Sequence, residues 1–582
     1  MIPRIWLYLR PYAARYAGGL FLLLATNALV LWIPWLLREA IDSLEEGADL
    51  RVVAGYAAWM ILAAVLQAVV RTLSRLAMLG ASRRVVYDVR NRFFAHLQTL
   101  GASFYDTNRT GDIMSRGVND LQLLRSLYGP GIMNLFNTAI AYVATLVLLL
   151  RIDLTLTLVA LMLYPLLFFA VNRISRRVYT RSRAVQEQLA TISNRAQENI
   201  SGIQQIKIFV QEDREIEGFR TQCEEFRRRN LSMAFIRGSM LSLIGIVSGL
   251  GTLIVLFVGG AHVIEGRITF GDFVAFNTYL GLLTWPTVAL GWIVNVFQRG
   301  AGAMDRVDAI LAEAPDIPPP SGDDPADLEP LTGDIEFRDL DYSYGGSEAA
   351  GASLRGVNLR IAEGSRVALV GPVGSGKSTL VNLLARVYPA PRGTVFIGGT
   401  DIADVPVARI RRNIGYVPQE AFLFSRSIRD NIALGRPDAS EEEIAKAVGL
   451  SHLEDDVEAF PDGLETVVGE RGFTLSGGQR QRATLARAAV VRPSILILDD
   501  SLSSVDADTE RAILDSFNDL MGGRTSILIS HRPSTLAEMD RIIVLDEGHV
   551  VEDGTHEDLI TRDGLYARLF RRDLLEQRLD TR

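Results

Sequence analysis

Six long stretches without any Asp, Glu, Lys or Arg divide the first half of the chain. Each is close to or longer than the roughly 20 residues that a helix needs to cross about 30 Å of hydrocarbon. Core helices of soluble proteins are usually shorter, and they rarely stay free of charge over such a length. The pattern therefore predicts an all-α domain of six membrane-spanning helices. The stretches are 17–37, 52–70, 129–150, 154–172, 238–264 and 273–298.

The charges between these stretches predict how the helices are oriented. Segment 71–128 contains nine arginines and segment 173–237 contains thirteen lysines or arginines, whereas 38–51 holds two arginines against five acids. Basic connections stay on the cytoplasmic side of a membrane. Six crossings with this pattern place both termini in the cytoplasm. The chain is therefore predicted to be a multi-pass protein of the cell inner (cytoplasmic) membrane, embedded in the lipid bilayer.

A change of composition marks the start of a second domain. Residues 313–333 combine six prolines with acids and glycine, which is typical of an extended linker. Beyond it, 334–572 alternates short β-branched runs with helical patterns, as βαβ units do. We expect a transmembrane domain over 1–312, an α/β domain over 334–572 and a charged tail over 573–582.

The α/β half contains a phosphate-binding loop. The apolar run 366–370 predicts a strand and 380–386 a helix, and between them lies G-x-x-x-x-G-K-[ST], the P-loop motif in the context that it requires. Its backbone N–H groups surround phosphate oxygens at a helix N-terminus, and Lys377 reaches the β- and γ-phosphates. Lys377 is one of three lysines among 60 basic residues, so this position demands a residue that the chain otherwise avoids. The loop residues are Gly371, Pro372, Val373, Gly374, Ser375, Gly376, Lys377, Ser378 and Thr379.

Two further apolar runs present polar side chains where they end. Run 495–498 leads into Asp499, and run 526–529 is followed by Ser530 and His531. In an open α/β sheet the ligand lies at the carboxyl ends of the strands. We therefore expect Asp499 and the Ser378 hydroxyl to hold Mg²⁺ beside the phosphates of a nucleotide.

The segment Leu475-Ser-Gly-Gly-Gln forms a second helix N-terminus that suits an anion. Ser476, Gly477, Gly478 and Gln479 lead into a helical pattern, and no lysine accompanies them. One subunit has little use for two γ-phosphate cradles unless the second serves the nucleotide of another molecule. These residues are therefore candidate nucleotide ligands in an assembly of two subunits.

Together these motifs make the chain resemble an ATP-binding cassette (ABC) exporter over nearly its whole length, of the half-transporter type found among multidrug and lipid exporters. The resemblance implies ATP and Mg²⁺ as cofactors, a second exporter subunit as partner, and export of an amphipathic drug or lipid. It makes Lys377, His531 and the residue after Asp499 the catalytic set, with His531 as the switch histidine. It assigns adenine stacking to Tyr344, and Mg²⁺ contact and coupling to the membrane domain to Gln419. Further matches are Asp506 in the D-loop, and 104–106 and 110–116 in the first intracellular loop.

One catalytic position departs from the family pattern. The family has a general-base glutamate directly after the Walker B aspartate, and this chain has Asp500 there. The aspartate carboxylate stops about 1.5 Å short, the length of one carbon–carbon bond. A misplacement of about 1 Å can cost about 10²-fold in rate. One interpretation is that the site tolerates aspartate and simply works slowly. The other is that this site is hydrolytically weakened and that a second, competent site carries most of the hydrolysis.

The preferred interpretation is a heterodimer. In this family each ATP lies between the Walker A loop of one subunit and the signature of the other. The chain resembles the degenerate-site subunit of heterodimeric bacterial exporters, because a partner with the glutamate would form a competent site with the signature at 475–479. A homodimer with two slow sites is the alternative within the class. From another class, the alternative is an ATP-gated membrane regulator that does not transport.

Composition narrows the remaining choices. A net charge of −8 argues against nucleic acid as a partner, and the single cysteine, Cys223, excludes an intrachain disulfide. Polar and aromatic residues within the spans either line a substrate cavity or join helices, and the second role is favoured. These residues are Asn27, Gln67, Asn137, Asn277, Trp285, Trp292 and Asn295.

Overall fold

The computed structural model describes residues 2–318, 330–346, 353–469, 472, 475–501, 509, 512–513, 515–516 and 523–580. The chain divides into two compact units, Met1–His96 with Gly111–Ala312, and Leu97–Thr110 with Glu313–Arg582. Part of the predicted linker (319–329) and Asp506 lie outside the described residues. The short segment Leu97–Thr110 belongs to the second unit, although it is surrounded in sequence by the first.

The N-terminal half consists of helices, several of them far longer than a membrane is thick. Three π-helical stretches, Arg116–Asp120, Leu127–Gly131 and Val255–Gly259, continue neighbouring α-helices without a break. The α-helices are α1 Ile2–Leu9, α2 Ala13–Glu45, α3 Leu50–Leu97, α4 Ala102–Thr107, α5 Thr110–Ser115, α6 Leu121–Ser126, α7 Ile132–Ile152, α8 Leu154–Leu161, α9 Leu163–Ser201, α10 Ile203–Ile208, α11 Glu212–Ile254, α12 Gly260–Ile264 and α13 Phe270–Leu311.

Among the described residues, four helical stretches are long and apolar enough to cross a membrane. They are Pro3–Glu45, Leu50–Leu97, Thr110–Ile152 and Phe270–Leu311, and they contain the predicted spans 17–37, 52–70, 129–150 and 273–298. The predicted spans 154–172 and 238–264 fall on α8–α9 and on α11–α12, where several side chains lie outside the description. The predicted N-terminal helical transmembrane domain is confirmed.

Hydrogen bonds between buried polar groups join the helices of the first unit. Asn27 donates to the side-chain oxygen of Asn137 at 3.0 Å, which links α2 to α7. Tyr279 on α13 donates to the Leu31 carbonyl oxygen of α2 at 2.8 Å. An apolar environment favours such pairs because an unpaired polar group there is costly. For Asn27 and Asn137 the structure thus supports the helix-joining role. Trp285 on α13, by contrast, is 74% exposed.

A close approach between α2 and α13 depends on Gly271. Its N–H donates to Asp42 Oδ1 at 2.9 Å, and a Cβ at this position would lie 2.4 Å from that oxygen and 2.5 Å from the Arg38 carbonyl oxygen. We expect Gly271→Ala to push the two helices apart and to lower the stability of the unit by about 1–3 kcal/mol, as overpacking does. Thermal unfolding of the detergent-solubilised protein measures this. Gly281→Ala is the matched control on the same helix, because a Cβ there meets nothing within 4 Å; equal melting temperatures for the two variants would contradict the prediction.

The second unit is an α/β domain with two sheets. A four-stranded sheet has the order β2-β1-β4-β5, and a six-stranded sheet has the order β10-β9-β3-β8-β7-β6, in which β9 to β6 are parallel and β10 is an antiparallel edge. The strands are β1 Ile335–Tyr342, β2 Leu354–Ile361, β3 Arg366–Val370, β4 Val395–Ile397, β5 Thr400–Asp401, β6 Ile414–Val417, β7 Ile495–Asp499, β8 Thr525–Ile529, β9 Arg541–Asp546 and β10 His549–Gly554.

The central strands of the six-stranded sheet are continuous apolar runs because both of their faces are covered. Every residue of β7 and β8 is buried. The described helices of this unit, after α4, are α14 Lys377–Leu384, α15 Val407–Asn413, α16 Ile428–Ala433, α17 Glu441–Leu450, α18 Glu454–Ala459, α19 Gly477–Val490, α20 Pro533–Leu536, α21 His556–Thr561 and α22 Leu565–Asp580. The predicted α/β P-loop domain is confirmed.

Two apolar cores matter for the site. The phosphate-loop helix α14 packs with the sheets through Leu380 and Leu384. A separate cluster joins α16, α17 and α19, and it includes Ile444 and, just before α19, Leu475. The two candidate anion-binding helix N-termini are therefore anchored in different parts of the unit.

Candidate nucleotide-binding site

The phosphate loop leaves the carboxyl end of β3 and enters α14. Gly371, Gly374 and Gly376 have φ of +153°, +84° and +100°, which favours glycine over any other residue. A Cβ on Gly371 would lie 2.1 Å from the Leu545 carbonyl oxygen, and a Cβ on Gly376 would lie 2.6 Å from that of Ser353. Only this backbone curvature lets successive N–H groups face one anion. The loop fits the phosphates of a nucleotide.

The Lys377 ammonium lies over the loop that carries it. Its Nζ donates to the carbonyl oxygens of Gly371 and Pro372, both at 2.8 Å, and to Ser375 Oγ at 3.3 Å. Burial lowers the pKa of Lys377, and the nearby acids act in the opposite direction. A buried cation held by neutral carbonyls gains by exchanging them for anionic phosphate oxygens, because charge-assisted hydrogen bonds are stronger.

Asp499 is the last residue of β7 and faces the first turn of α14. Ser378 Oγ donates to Asp499 Oδ1 at 3.2 Å, and the Tyr416 hydroxyl donates to Oδ2 at 3.4 Å. Burial raises the pKa of Asp499, because removal from water disfavours its ionised form. Mg²⁺ prefers hard oxygen donors and usually combines one or two carboxylates with substrate phosphates. The residues present therefore fit Mg²⁺.

The Asp500 side chain is directed by an unusual backbone. Asp500 has φ of +44°, and its N–H donates to the Ile529 carbonyl oxygen of β8 at 2.9 Å. Its carboxylate is hydrogen-bonded to the Gln419 side chain. A non-glycine residue held at positive φ is uncommon, and such strain concentrates at functional sites.

Burial dominates the electrostatics around this carboxylate. It raises the pKa of Asp500, and the charges of His531, Arg532 and Lys377 oppose the rise. Burial also lowers the pKa of His531, and Lys377 adds to this effect. The folded site therefore favours a neutral His531 at neutral pH, which leaves a ring nitrogen able to accept a hydrogen bond.

Tyr344 stands beside the phosphate loop within a cluster of aromatic rings. Its hydroxyl donates to Thr379 Oγ1 at 3.2 Å, and its ring meets those of Tyr342 and Tyr388 edge-on, with centroids 5.3 and 5.0 Å apart. The ring is 38% exposed, which leaves area for stacking on a base. Tyr388 in turn donates to the Asp106 carboxylate of α4 at 2.7 Å. Nothing in the local sequence pattern singles out Tyr388, because its partner is 282 positions away.

The signature segment (475–479) begins α19 with a capping box. The Gln479 N–H donates to Ser476 Oγ at 3.2 Å, and the Ser476 N–H donates to Gln479 Oε1 at 2.8 Å. Gln479 Nε2 then donates to Asp456 of α18 at 2.9 Å. The Gln479 side chain is thus engaged within its own subunit, by Ser476 and by Asp456.

The structure brings most of the candidate residues together and leaves one group apart. The phosphate loop, Tyr344, Gln419, Asp499, Asp500 and His531 gather around the carboxyl ends of β3, β7 and β8. The described hydrogen bonds of Ser476 and Gln479 connect them to each other and to α18 instead. Fold and site together define an ATP-binding module fused to a helical membrane domain.

Comparison with known proteins agrees with this class. The family model of the ABC transporter transmembrane region matches residues 17–287, and the family model described as ABC transporter matches residues 354–503. A bacterial Atm1-family ABC exporter with ATP bound has a similar structure, with a TM-score of 0.78 and 28% identity over 96% of this chain and 99% of that one.

Curated relatives match along the full length. The probable multidrug resistance ABC transporter ATP-binding/permease protein YheI of Bacillus subtilis is 35% identical over 99% of this chain and 98% of its own length. The ATP-dependent lipid A-core flippase of Syntrophus aciditrophicus is 32% identical over 98% of this chain and 94% of its own. The chain belongs to the ABC exporter family, in the half-transporter arrangement, and it couples ATP hydrolysis to transport across a membrane.

Proposed function

We propose that this chain is one half of a heterodimeric exporter that moves an amphipathic drug or a lipid outward across the inner membrane, with both termini in the cytoplasm. The names of the relatives support the substrate class, since they include a probable multidrug resistance transporter and a lipid A-core flippase. The basic segments 71–128 and 173–237 support this orientation, because basic connections stay on the cytoplasmic side of a membrane.

The observation that carries the heterodimer is the geometry of Asp500. Its carboxylate is one carbon–carbon bond, about 1.5 Å, shorter in reach than a glutamate, and it is bonded to Gln419. The signature of the same chain is complete and capped. A chain with an intact signature and a weakened base makes sense when its partner supplies the glutamate for the site that this signature completes.

In this mechanism the phosphate-loop side of the chain binds one ATP. The loop N–H groups and Lys377 hold its phosphates, Tyr344 stacks on its base, and Ser378, Gln419 and Asp499 are the Mg²⁺ ligands. Mg²⁺ supplies charge neutralisation on the β- and γ-phosphates.

The opposite face of the chain serves the partner's nucleotide. Ser476, Gly477 and Gly478 direct a helix N-terminus at its γ-phosphate. Binding of two nucleotides favours the closed pair of cassettes, and closure shifts the membrane domain from inward-facing to outward-facing. Hydrolysis at the partner's competent site resets the pair, while Asp500 and His531 hydrolyse the nucleotide on this side slowly.

Reconstitution tests the proposal. The chain is purified alone and after co-expression with an exporter subunit that has glutamate after its Walker B aspartate, and each preparation is placed in proteoliposomes. We expect ATP-dependent uptake of a fluorescent amphipathic dye or a labelled phospholipid into these proteoliposomes, with ATP added outside, only for the co-expressed pair. Full uptake by the chain alone would establish the homodimer instead. Binding of ATP without uptake of either probe would favour the non-transporting regulator.

A further inference from the structure

An acidic residue outside the motifs described above is bonded to α19 at two points, one of them within the signature segment. Asp456 lies in the first turn of α18, and one of its carboxylate oxygens accepts from Gln479 Nε2 at 2.9 Å. The other oxygen forms an ion pair with Arg482. Gln479 and Arg482 are three residues apart on α19, so they share a helix face. One carboxylate therefore contacts both of the first two turns of α19.

This contact determines which way the Gln479 amide points. A carboxylate accepts hydrogen bonds only, so it requires the NH₂ end of the amide. The amide oxygen is then left facing the Ser476 N–H, which it accepts at 2.8 Å to complete the capping box. Without Asp456 the amide keeps only its bond from the Ser476 N–H, and a rotated amide would present a donor to that donor. The orientation of the cap thus depends on a residue 20 positions before Ser476 in the sequence.

The environment makes the contact stronger than a surface pair. The side chains of Asp456 and Arg482 are 20% and 14% exposed, so removal of either would leave the other partly buried and unpaired. The neighbouring Asp455 is exposed. It shares the first helical turn of α18 and therefore the same interaction with the helix dipole.

We propose that Asp456 is a positioning residue for the signature segment, acting through Gln479 to hold Ser476 and its helix N-terminus in the geometry that binds the γ-phosphate of the partner's ATP. This inference rests on the proposed function, in which the signature of this chain completes the partner's site. It follows that Asp456 controls hydrolysis at the site across the dimer and leaves ATP binding at this chain's own phosphate loop unchanged.

The test measures ATP hydrolysis by the co-expressed pair with variants in this chain only. We expect Asp456→Ala to lower kcat by about tenfold, within the range that a misplacement below 1 Å produces. Binding of a fluorescent ATP analogue to the phosphate loop of the isolated chain should stay unchanged. Asp455→Ala removes the same charge from the same helical turn and should leave both quantities unchanged. Asp456→Asn keeps an acceptor for Gln479 and loses the ion pair, so its kcat should fall between wild type and Asp456→Ala.

A double variant separates positioning from general destabilisation. If Asp456 acts through Gln479, then Asp456→Ala combined with Gln479→Ala has the kcat of Gln479→Ala alone, whereas independent effects would multiply. Multiplying effects, or a kcat for Asp456→Ala equal to that of Asp455→Ala, would overturn the inference. If Asp456→Ala does not yield a folded pair, Asp456→Asn replaces it in the single and double variants. Multiplying effects, or a kcat equal to that of Asp455→Ala, would then overturn the inference in the same way. A wild-type pair without ATPase activity would contradict the proposed function itself and is thereby distinguished from failure of this inference.

Discussion

Replacing Lys377 by alanine is expected to weaken nucleotide binding at this chain's phosphate loop by at least about 30-fold. Lys377 is 7% exposed, and its donors point at the loop that surrounds the phosphates. Truncating one partner of a buried, hydrogen-bonded charge pair costs about 2–5 kcal/mol, which is about 30-fold to several thousand-fold in Kd. Titration of the isolated chain with a fluorescent ATP analogue measures the change, and ATPase activity of the pair should fall with it.

Two variants show whether the loss comes from this ammonium group. Lys446→Ala removes one of the other two lysines, which is exposed on α17, and should leave binding unchanged. Lys377→Arg keeps the charge, but the planar guanidinium does not fit the three acceptors that the compact ammonium reaches at 2.8–3.3 Å. Binding by Lys377→Arg should therefore stay weak. Wild-type affinity in Lys377→Ala would show that the loop does not bind phosphate as described.

The parts of the fold that depend on local pattern could be predicted from the sequence. The run 366–370 is β3, and 495–498 forms β7 with Asp499 at its end. Four of the uncharged stretches, 17–37, 52–70, 129–150 and 273–298, lie on long apolar helices. These predictions succeed because burial on both faces of a strand, or within lipid, imposes a composition that a short window reveals. The motif around Lys377 is similarly local, since its glycines and lysine serve one loop.

The remaining features depend on contacts between distant residues. The placement of 97–110 with the second unit rests on bonds such as Tyr388 to Asp106, and no periodicity encodes a pairing across 282 positions. In the sequence Asp456 is one of three consecutive acids, 454–456, and no local pattern distinguishes it, because its role depends on where α19 lies. The π-helical stretch Leu127–Gly131 contains Pro130, and such insertions arise from packing and from the missing N–H of proline.

The second large effect concerns the base position. Asp500→Glu is expected to raise the hydrolysis rate at this chain's own site by about tenfold to a hundredfold, because the longer side chain supplies the missing reach of about 1.5 Å. The backbone favours this outcome, since the N–H bond to Ile529 and the φ of +44° aim the side chain independently of its length. The nearby Gln419 can still donate to the new carboxylate.

In the proposed heterodimer the partner's site is the faster one, so the experiment must isolate the site of this chain from it. The partner's general-base glutamate is first changed to glutamine, so that the remaining ATPase activity of the pair reports the site with Asp500. On this background Asp500→Glu should restore turnover, and Asp500→Asn, which removes the base without changing its length, should reduce it further. Burial raises the pKa of Asp500, so the base becomes protonated earlier as the pH is lowered. The activity of the aspartate site should therefore fall on acidification at a pH above the ordinary pKa of an aspartate. A glutamate variant with unchanged turnover would mean that reach does not limit hydrolysis here, and the case for a weakened site in a heterodimer would then lose the observation that carries it.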